Sequence, residues 1–437
     1  MRQKIERGKT LLVDGPARVT ICSGTIRAFG AQMGAKEHIL VRLGKRMPLE
    51  AIEESEVEIL LGEKASYEII DGSSIPPSWE EIAKKILSSG SNNIEVVVLG
   101  ATDSGKSSFS TYLANVALNG GRKVALIDGD LGQSDIGPPG TLGLSMLKRP
   151  IIDPSNLQPD DAVFIGITSP QSVVGRVISG LVRLKEKALR MGSELIIVNT
   201  DGWVEGEDAI NYKRQLIKAL SPTFTVIMHG REESRSLLKS LMEDNANILL
   251  AESPEKIKKR DRETRKAIRE TLYRRYLRNA KIYSIPLGWI KIDGNLAIRG
   301  RPDQNQKKMF EEILDGKVVY CESLQDHIVL VLKSKALLSD EEKNRISAEL
   351  NKPAKIIFEG SEKGLIASLE DDEERFLGIG IIHCIDYERG VIKVYADSEK
   401  CFSRLHIGQI RLNERGNEIE IVGDDSLYIL PRKDISP

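Results

Sequence analysis

From the N-terminus to about residue 70, apolar and polar positions alternate in short runs: Thr10–Val13, Arg18–Cys22, His38–Leu43, Val57–Leu61 and Tyr67–Ile70. Gly15-Pro16, Ser23-Gly24 and Gly44 punctuate them, so the pattern predicts a small all-β domain. Asp71-Gly72-Ser73-Ser74-Ile75-Pro76-Pro77-Ser78 reads as a linker, and Trp79–Leu87 as a short helix leading into the next domain.

At Ile94 the pattern changes. Apolar runs at Val96–Leu99, Val124–Ile127, Val163–Ile167, Leu195–Val198, Thr223–Met228 and Ile248–Ala251 alternate with amphipathic stretches. One of these stretches carries Val174, Ile178, Leu181, Leu184 and Ala188 at spacings that give a helix one buried face. Strands this uniformly apolar are covered on both sides, which predicts a parallel sheet wrapped by helices. After a basic stretch over Lys256–Lys281, β patterning returns. Trp289–Ile292 and Leu296–Ile298 flank Asp293-Gly294-Asn295, a hairpin signal. Further strands are expected at Ile328–Leu332, Lys355–Phe358, Gly378–Asp386, Val391–Tyr395, Ile410–Leu412 and Ile419–Val422. One helix ends at Gly316 and another opens with the capping box Ser339-Asp340-Glu341-Glu342. The fold class is therefore α/β: an N-terminal β domain over 1–75, a central domain over 76–285 with a basic segment at 256–281, and a mainly-β domain over 286–437.

Composition changes this picture little. The 437 residues exceed what one core supports, and 41% hydrophobic with 29% charged residues suits soluble globular domains. The net charge of −1 leaves any nucleic-acid affinity to a local patch. The 4 cysteines show neither a CxxC pair nor a disulfide framework, and no run reads as a signal peptide or membrane span, so a cytoplasmic, reducing location is expected.

The chemistry begins where the first central strand breaks off. Gly100-Ala101-Thr102-Asp103-Ser104-Gly105-Lys106-Ser107-Ser108 spells G-x-x-x-x-G-K-S between a strand and a helix, the context in which a phosphate-binding loop works. Its backbone N–H groups form an anion nest, and the helix dipole adds favourable potential. Lys106 would reach the β/γ-phosphates of a nucleotide and Ser107 would sit on Mg²⁺. The pairs Gly8-Lys9 and Gly44-Lys45 lack the upstream glycine and strand, so they are not phosphate loops.

The second strand ends Asp128-Gly129-Asp130-Leu131-Gly132-Gln133. Asp128 is placed to hold a magnesium shell. If strand geometry persists, Asp130 points the same way and could accept a proton; as a bare turn residue it would do neither. A glycine follows Asp128 where a water-polarising carboxylate would stand, and no N-K-x-D guanine motif occurs, so transfer of a phosphoryl group to another acceptor is favoured. The arginines and lysines after the last central strand are read either as a solvated helix face or as a lid over the phosphates. Trp203, in a polar glycine-bearing loop, reads either as core or as a base-stacking platform.

Taken together, Gly100–Ser108, Asp128-x-Asp130-x-Gly132-Gln133, Pro139-Gly140-Thr141, Thr168-x-Pro170, Asn199-Thr200-x-Gly202-Trp203 and the pair Arg260 and Arg265 resemble the polyribonucleotide 5′-hydroxyl kinases. That family includes the RNA kinase of the cleavage-and-polyadenylation machinery and the nucleolar kinases of ribosomal-RNA processing. The resemblance implies an ATP- and Mg²⁺-dependent kinase acting on the 5′-hydroxyl ends of RNA, with DNA ends as a further candidate. It also implies protein partners in RNA processing and, in a chain without long extensions, an archaeal member. It assigns phosphate handling to Lys106, magnesium to Ser107 and Asp128, and the general base to Asp130. Gln133 and Thr168 would clasp the substrate end, Trp203 would stack on the terminal base, and Arg260 and Arg265 would form the lid pair. The N-terminal domain would help to hold the adenine. Asp201 departs from the pattern, where a small residue is expected, as does the acidic Val204-Glu205-Gly206-Glu207-Asp208. The rival reading is an ATP-binding scaffold subunit with little turnover; a weaker one is a small-molecule kinase.

Overall fold

A computed structural model describes the chain except residues 91–92, 231–234, 244–246, 295, 297, 334–337, 424–427 and 431–437. It divides into two compact units, Met1–Arg269 and Glu270–Pro437.

In the first unit the N-terminal strands form two sheets. One is ordered Arg2–Ile5, Ser55–Leu61, Ala17–Ser23, His38–Val41, and the other Ala31–Met33, Ile26–Ala28, Arg46–Ala51, Lys9–Asp14, Ser66–Asp71. Alternation buries every second residue, as at Met47, Leu49 and Ala51, and the buried faces share one core with Val19, Ile21 and Val57. That core runs on into the central region through α1 (Pro77–Leu87). Trp79 of α1 is fully buried, lies edge-on to Phe109 at 5.4 Å, and donates its Nε1–H to the Glu252 carbonyl at 2.8 Å.

The central elements are β1 (Ile94–Leu99), α2 (Lys106–Asn119), β2 (Val124–Gly129), β3 (Thr141–Leu147), β4 (Asp161–Phe164), α3 (Val174–Arg190), β5 (Leu195–Thr200), α4 (Glu207–Leu220), β6 (Phe224–His229), α5 (Arg235–Glu243), β7 (Ile248–Glu252) and α6 (Arg262–Tyr276). The strands form one sheet ordered β4-β3-β2-β5-β1-β6-β7. Successive residues of β1 and β2 point to opposite faces: Val96, Val98, Val124 and Leu126 join α2, whereas Val97, Leu99, Ala125 and Ile127 join α3 and α4. The register aligns Val98 and Asp128 with Asn199 of β5, bringing the carboxyl ends of β1, β2 and β5 to one edge.

Three expectations change. The sheet is not wholly parallel, because β3 runs antiparallel to both β2 and β4. Gly143 and Ser145 hide β3 from an apolar count, and Gly143 is required because a Cβ there would meet the Ile136 carbonyl at 1.9 Å. The third expected strand, Val163–Ile167, stops at Phe164, since the Ile165 and Gly166 amides both turn to the Gly140 carbonyl at 2.9 Å. The basic stretch 256–281 is helical only from Arg262 to Tyr276. Asp261 ends the preceding irregular segment by accepting the Thr264 amide at 2.7 Å, and Lys281–Pro286 is already a strand.

In the second unit, Lys281–Pro286 joins Val391–Ala396, Phe376–Asp386, Leu365–Glu370, Arg404–Leu412 and Lys291–Gly294 in a large sheet, with Glu418–Ile421 added on Arg404–Leu412. A second sheet, Val318–Ser323, Ile328–Leu332, Ala354–Phe358 and Tyr428–Leu430, packs against helices Gln304–Ile313 and Asp340–Glu349. The capping box is present: Ser339 Oγ accepts the Glu342 amide at 3.2 Å while Glu342 accepts the Ser339 amide at 2.8 Å. The hairpin expected at Asp293-Gly294-Asn295 rests on Asn295 and Ala297, which lie outside the described residues; Lys291–Gly294 pairs in parallel with Arg404–Leu412. Among the described residues no helix is long and apolar enough to cross a membrane.

Candidate active site

The phosphate loop is built as its spacing predicts. Backbone φ reaches +102° at Gly105 and +54° at Asp103, the latter a residue type whose short polar side chain tolerates the left-handed region. A Cβ at Gly105 would lie 3.0 Å from Pro254 Cδ, so glycine also admits close packing there. Helix α2 begins at Lys106, whose Nζ curls back to donate to the carbonyls of Gly100 at 2.9 Å and Ala101 at 2.8 Å. Burial pushes the Lys106 ammonium down to about 8, with Asp130 acting in the opposite direction.

Strand β2 ends at Gly129, so the expected period-two projection of Asp128 and Asp130 is not kept. Asp128 turns beneath the following loop: its Oδ2 accepts the amides of Asp135 and Ile136 at 2.5 and 3.3 Å, and its Oδ1 accepts the Asp130 amide at 3.2 Å and Asn199 Nδ2 at 3.1 Å. Asn199 Nδ2 also reaches Ser107 Oγ at 3.2 Å, which ties strand end, loop and helix together. Burial and the neighbouring carboxylates of Asp135 and Asp130 raise the Asp128 carboxyl. Asp130 closes an Asx turn, its Oδ1 accepting the amides of Gly132 and Gln133, both at 3.0 Å. Burial raises its carboxyl as well, against the opposing charge of Lys106.

Arg260 precedes α6 and Arg265 lies in its first turn; both meet on the loop carboxylate of Asp103. The Arg260 amide and Nε donate to it at 3.0 and 2.8 Å, and Arg265 Nη2 donates at 2.9 Å. Gln133 touches both arginines: its Oε1 accepts Arg260 Nη1 at 3.3 Å, and its Nε2 donates to the Arg265 carbonyl at 3.4 Å. One cavity of about 110 Å³ brings together Thr102–Ser108, Asp130, Gln133, Asp135, Ile257, Lys258 and Arg260.

Gly44, Lys45 and Arg46 of the N-terminal domain also line that cavity. The sequence reading set Gly44-Lys45 aside; the pair is no phosphate loop, but it stands at the edge of one. Lys45 Nζ donates to Asp135 at 3.0 and 3.1 Å, and Arg42 bridges Asp135 and Asp153. Arg46 is held on Asp14 at 2.8 and 2.9 Å. A tertiary contact brings these residues here, and their local sequence carries no signal of it.

Thr168 and Trp203 do not line this cavity. The Thr168 carbonyl abuts Gly132, where a Cβ would approach it to 3.0 Å. The Trp203 indole is half-buried and stacks on Tyr212 with ring centroids 5.8 Å apart and planes 27° apart. Gly202 beside it packs on the phosphate loop, since a Cβ there would fall 2.7 Å from the Thr102 amide nitrogen.

Residues 100–279 match the family described as mRNA cleavage and polyadenylation factor CLP1 P-loop. A polyribonucleotide 5′-hydroxyl-kinase of Methanocaldococcus jannaschii is 28% identical over 340 residues, 76% of this chain and 91% of the relative. Another, from Pyrococcus horikoshii, is 24% identical and spans 80% of this chain and 95% of its own. In structure, the Clp1p chain of a Clp1p–Pcf11p complex superposes with a TM-score of 0.65 at 14% identity, covering 94% of this chain and 97% of that one, which is a likeness of fold. The phosphate loop and acidic strand end thus lie in the part that matches the CLP1 P-loop family, and most of the chain is similar to archaeal proteins named polyribonucleotide 5′-hydroxyl-kinase.

Proposed function

We propose that this protein transfers the γ-phosphoryl group of ATP to the 5′-hydroxyl end of RNA, with DNA ends as a second acceptor. The observation that carries the reading is one cavity that joins a half-buried carboxylate, Asp130, to the phosphate-loop ammonium of Lys106 and the guanidinium of Arg260. In this reading the loop amides and Lys106 bind the β- and γ-phosphates. The 5′-oxygen attacks the γ-phosphorus as its proton passes to Asp130, and the bond to the β,γ-bridging oxygen breaks to release ADP. A carboxyl raised by burial is a better proton acceptor near neutral pH than an exposed aspartate. Arg260 and Arg265, both held on Asp103 of the loop, offer planar charge to the transferring group.

The residues fit a magnesium ion. Ser107 Oγ and Asp128 Oδ1 are two hard oxygens bridged by Asn199 Nδ2, and Asn199 Oδ1 is buried without a hydrogen-bond partner. Bound there, the ion would neutralise charge on the phosphate oxygens. Gln133 and Thr168 would border the acceptor end, and Trp203 would stack on its first base. Residues 1–75 would close the nucleotide side through Gly44–Arg46, residues 76–285 would perform the transfer with 256–281 as the lid, and residues 286–437 would serve a separate role. The complex of Clp1p with Pcf11p makes a protein partner a further proposal for this chain.

The experiment is to incubate the protein with γ-³²P-ATP, Mg²⁺ and a 5′-hydroxyl oligoribonucleotide, beside its DNA counterpart. Label on the 5′ end is expected. ATP bound with no label transferred would replace this reading by that of a scaffold.

A further inference from the structure

The apolar stripe of α4 is interrupted. Ala209, Tyr212, Leu216 and Leu220 face the core at helical spacing, and Lys213 joins them with no exposed surface. A lysine in that position is costly unless its charge is matched. Its Nζ donates to Asp201 Oδ2 at 2.8 Å and to the Asp201 carbonyl at 3.3 Å, and it lies 4.5 Å from the Tyr212 ring centre.

Asp201 follows β5 and is itself buried. Besides Lys213, it accepts the Tyr212 hydroxyl at 2.9 Å through Oδ2 and the Trp203 amide at 2.9 Å through Oδ1. Tyr212 in turn provides the face on which Trp203 stacks. Two neighbours on α4 thus hold one turn, Lys213 and Tyr212 through its carboxylate and Tyr212 through its indole. The intervening Gly202 leans on the phosphate loop at Thr102. Asp201, which breaks the small-residue pattern expected beside Gly202-Trp203, therefore has its counter-charge twelve residues on, buried on the helix behind it.

We propose that Lys213 and Asp201 form a positioning pair that fixes the Asp201–Trp203 turn, and with it the indole against which the acceptor's terminal base stacks. Neither residue of the pair lines the phosphate-loop cavity, and in this proposal the pair acts through Trp203. The stacking role rests on the function proposed above, whereas the anchoring does not.

The test uses the full chain with Lys213→Met, which keeps length but removes the charge, and the double variant Asp201→Asn/Lys213→Met, which removes both charges and keeps an acceptor for the Trp203 amide. Lys213→Met is expected to raise KM for a 5′-hydroxyl oligoribonucleotide about tenfold while changing ATP affinity less than about threefold, and the double variant is expected to recover most of the loss. Equal loss for both substrates, or an unchanged oligonucleotide KM, would overturn the positioning role. Without any nucleic acid, amide hydrogen exchange at Trp203 should quicken about tenfold in Lys213→Met and return in the double variant; unchanged exchange would overturn the anchor. If wild-type protein fails to label RNA, the function is refuted while the exchange measurement still decides the anchor. Asp201→Asn alone, expected to shift both readouts in the same direction as Lys213→Met, serves where that variant does not fold.

Discussion

Asp103, in the phosphate loop, holds Arg260 through the arginine's own amide at 3.0 Å and its Nε at 2.8 Å, so backbone and side chain are both fixed by one carboxylate. Burial by itself would raise the Asp103 carboxyl, but the charge and hydrogen bonds of Arg260, with Arg265, hold it below its ordinary value. The two arginines proposed as the lid are therefore fastened to the phosphate loop by one carboxylate.

From this fastening, Asp103→Asn should lower kcat by about ten- to a hundredfold with little change in ATP affinity, because the arginines lose orientation without being removed. Arg260→Ala should cost more, on the order of a thousandfold in kcat. Steady-state label transfer measures both. Wild-type kcat in Asp103→Asn would separate the lid's action from its anchor.

Asp130→Asn retains the shape of the Asx turn and removes the proton acceptor. Transfer should fall by about 10²–10⁴-fold. ATP binding, followed by titration calorimetry, should persist, since the loop amides and Lys106 are untouched. A variant that transfers phosphate at the wild-type rate would remove Asp130 from the mechanism.

Gly44 has φ +72°, and a Cβ there would meet Ile268 Cδ1 at 2.9 Å, Thr264 Cγ2 at 3.1 Å and Arg260 Cδ at 3.3 Å. Gly44→Val should strain the backbone by on the order of 1–2 kcal/mol and push on the lid from the N-terminal side. The expected result is a lowered kcat together with a modest fall in Tm. An equal Tm loss with unchanged kcat would show that this contact does not reach the arginines.

Asp153 ties the N-terminal sheet to the central one: Arg42 donates to it at 2.7 and 2.9 Å. Burial works to raise its carboxyl, yet the charges of Lys45 and Arg42 bring it down to about 2. A folded value below the unfolded one means that the stabilisation is present above about pH 4 and is lost as pH falls toward 2. Asp153→Asn should therefore cost about 2–3 kcal/mol at pH 7 and flatten the acid limb between pH 4 and 2. Urea unfolding across that range measures it. An acid limb identical to wild type would place the sensitivity elsewhere.

What the linear chain determined on its own were features whose cause is local. The loop Gly100–Ser108, the buried runs on either side of it and the capping box at Ser339 depend on backbone conformation and short spacing, and each stands where its residues indicated. Tertiary structure decided whatever depends on how the folded chain brings separate segments together. A strand pairs through Gly143, a position that must be glycine because the Ile136 carbonyl occupies the space of a Cβ. The acidic end of β2 leaves period-two geometry because the Asp135 and Ile136 amides draw Asp128 under the loop. Gly44-Lys45 reaches the nucleotide cavity, Arg260 settles on Asp103, and Lys213 finds Asp201, across separations from twelve to more than a hundred residues. Charges and hydrogen-bonding groups removed from water must find partners, and only the folded chain determines which ones are within reach.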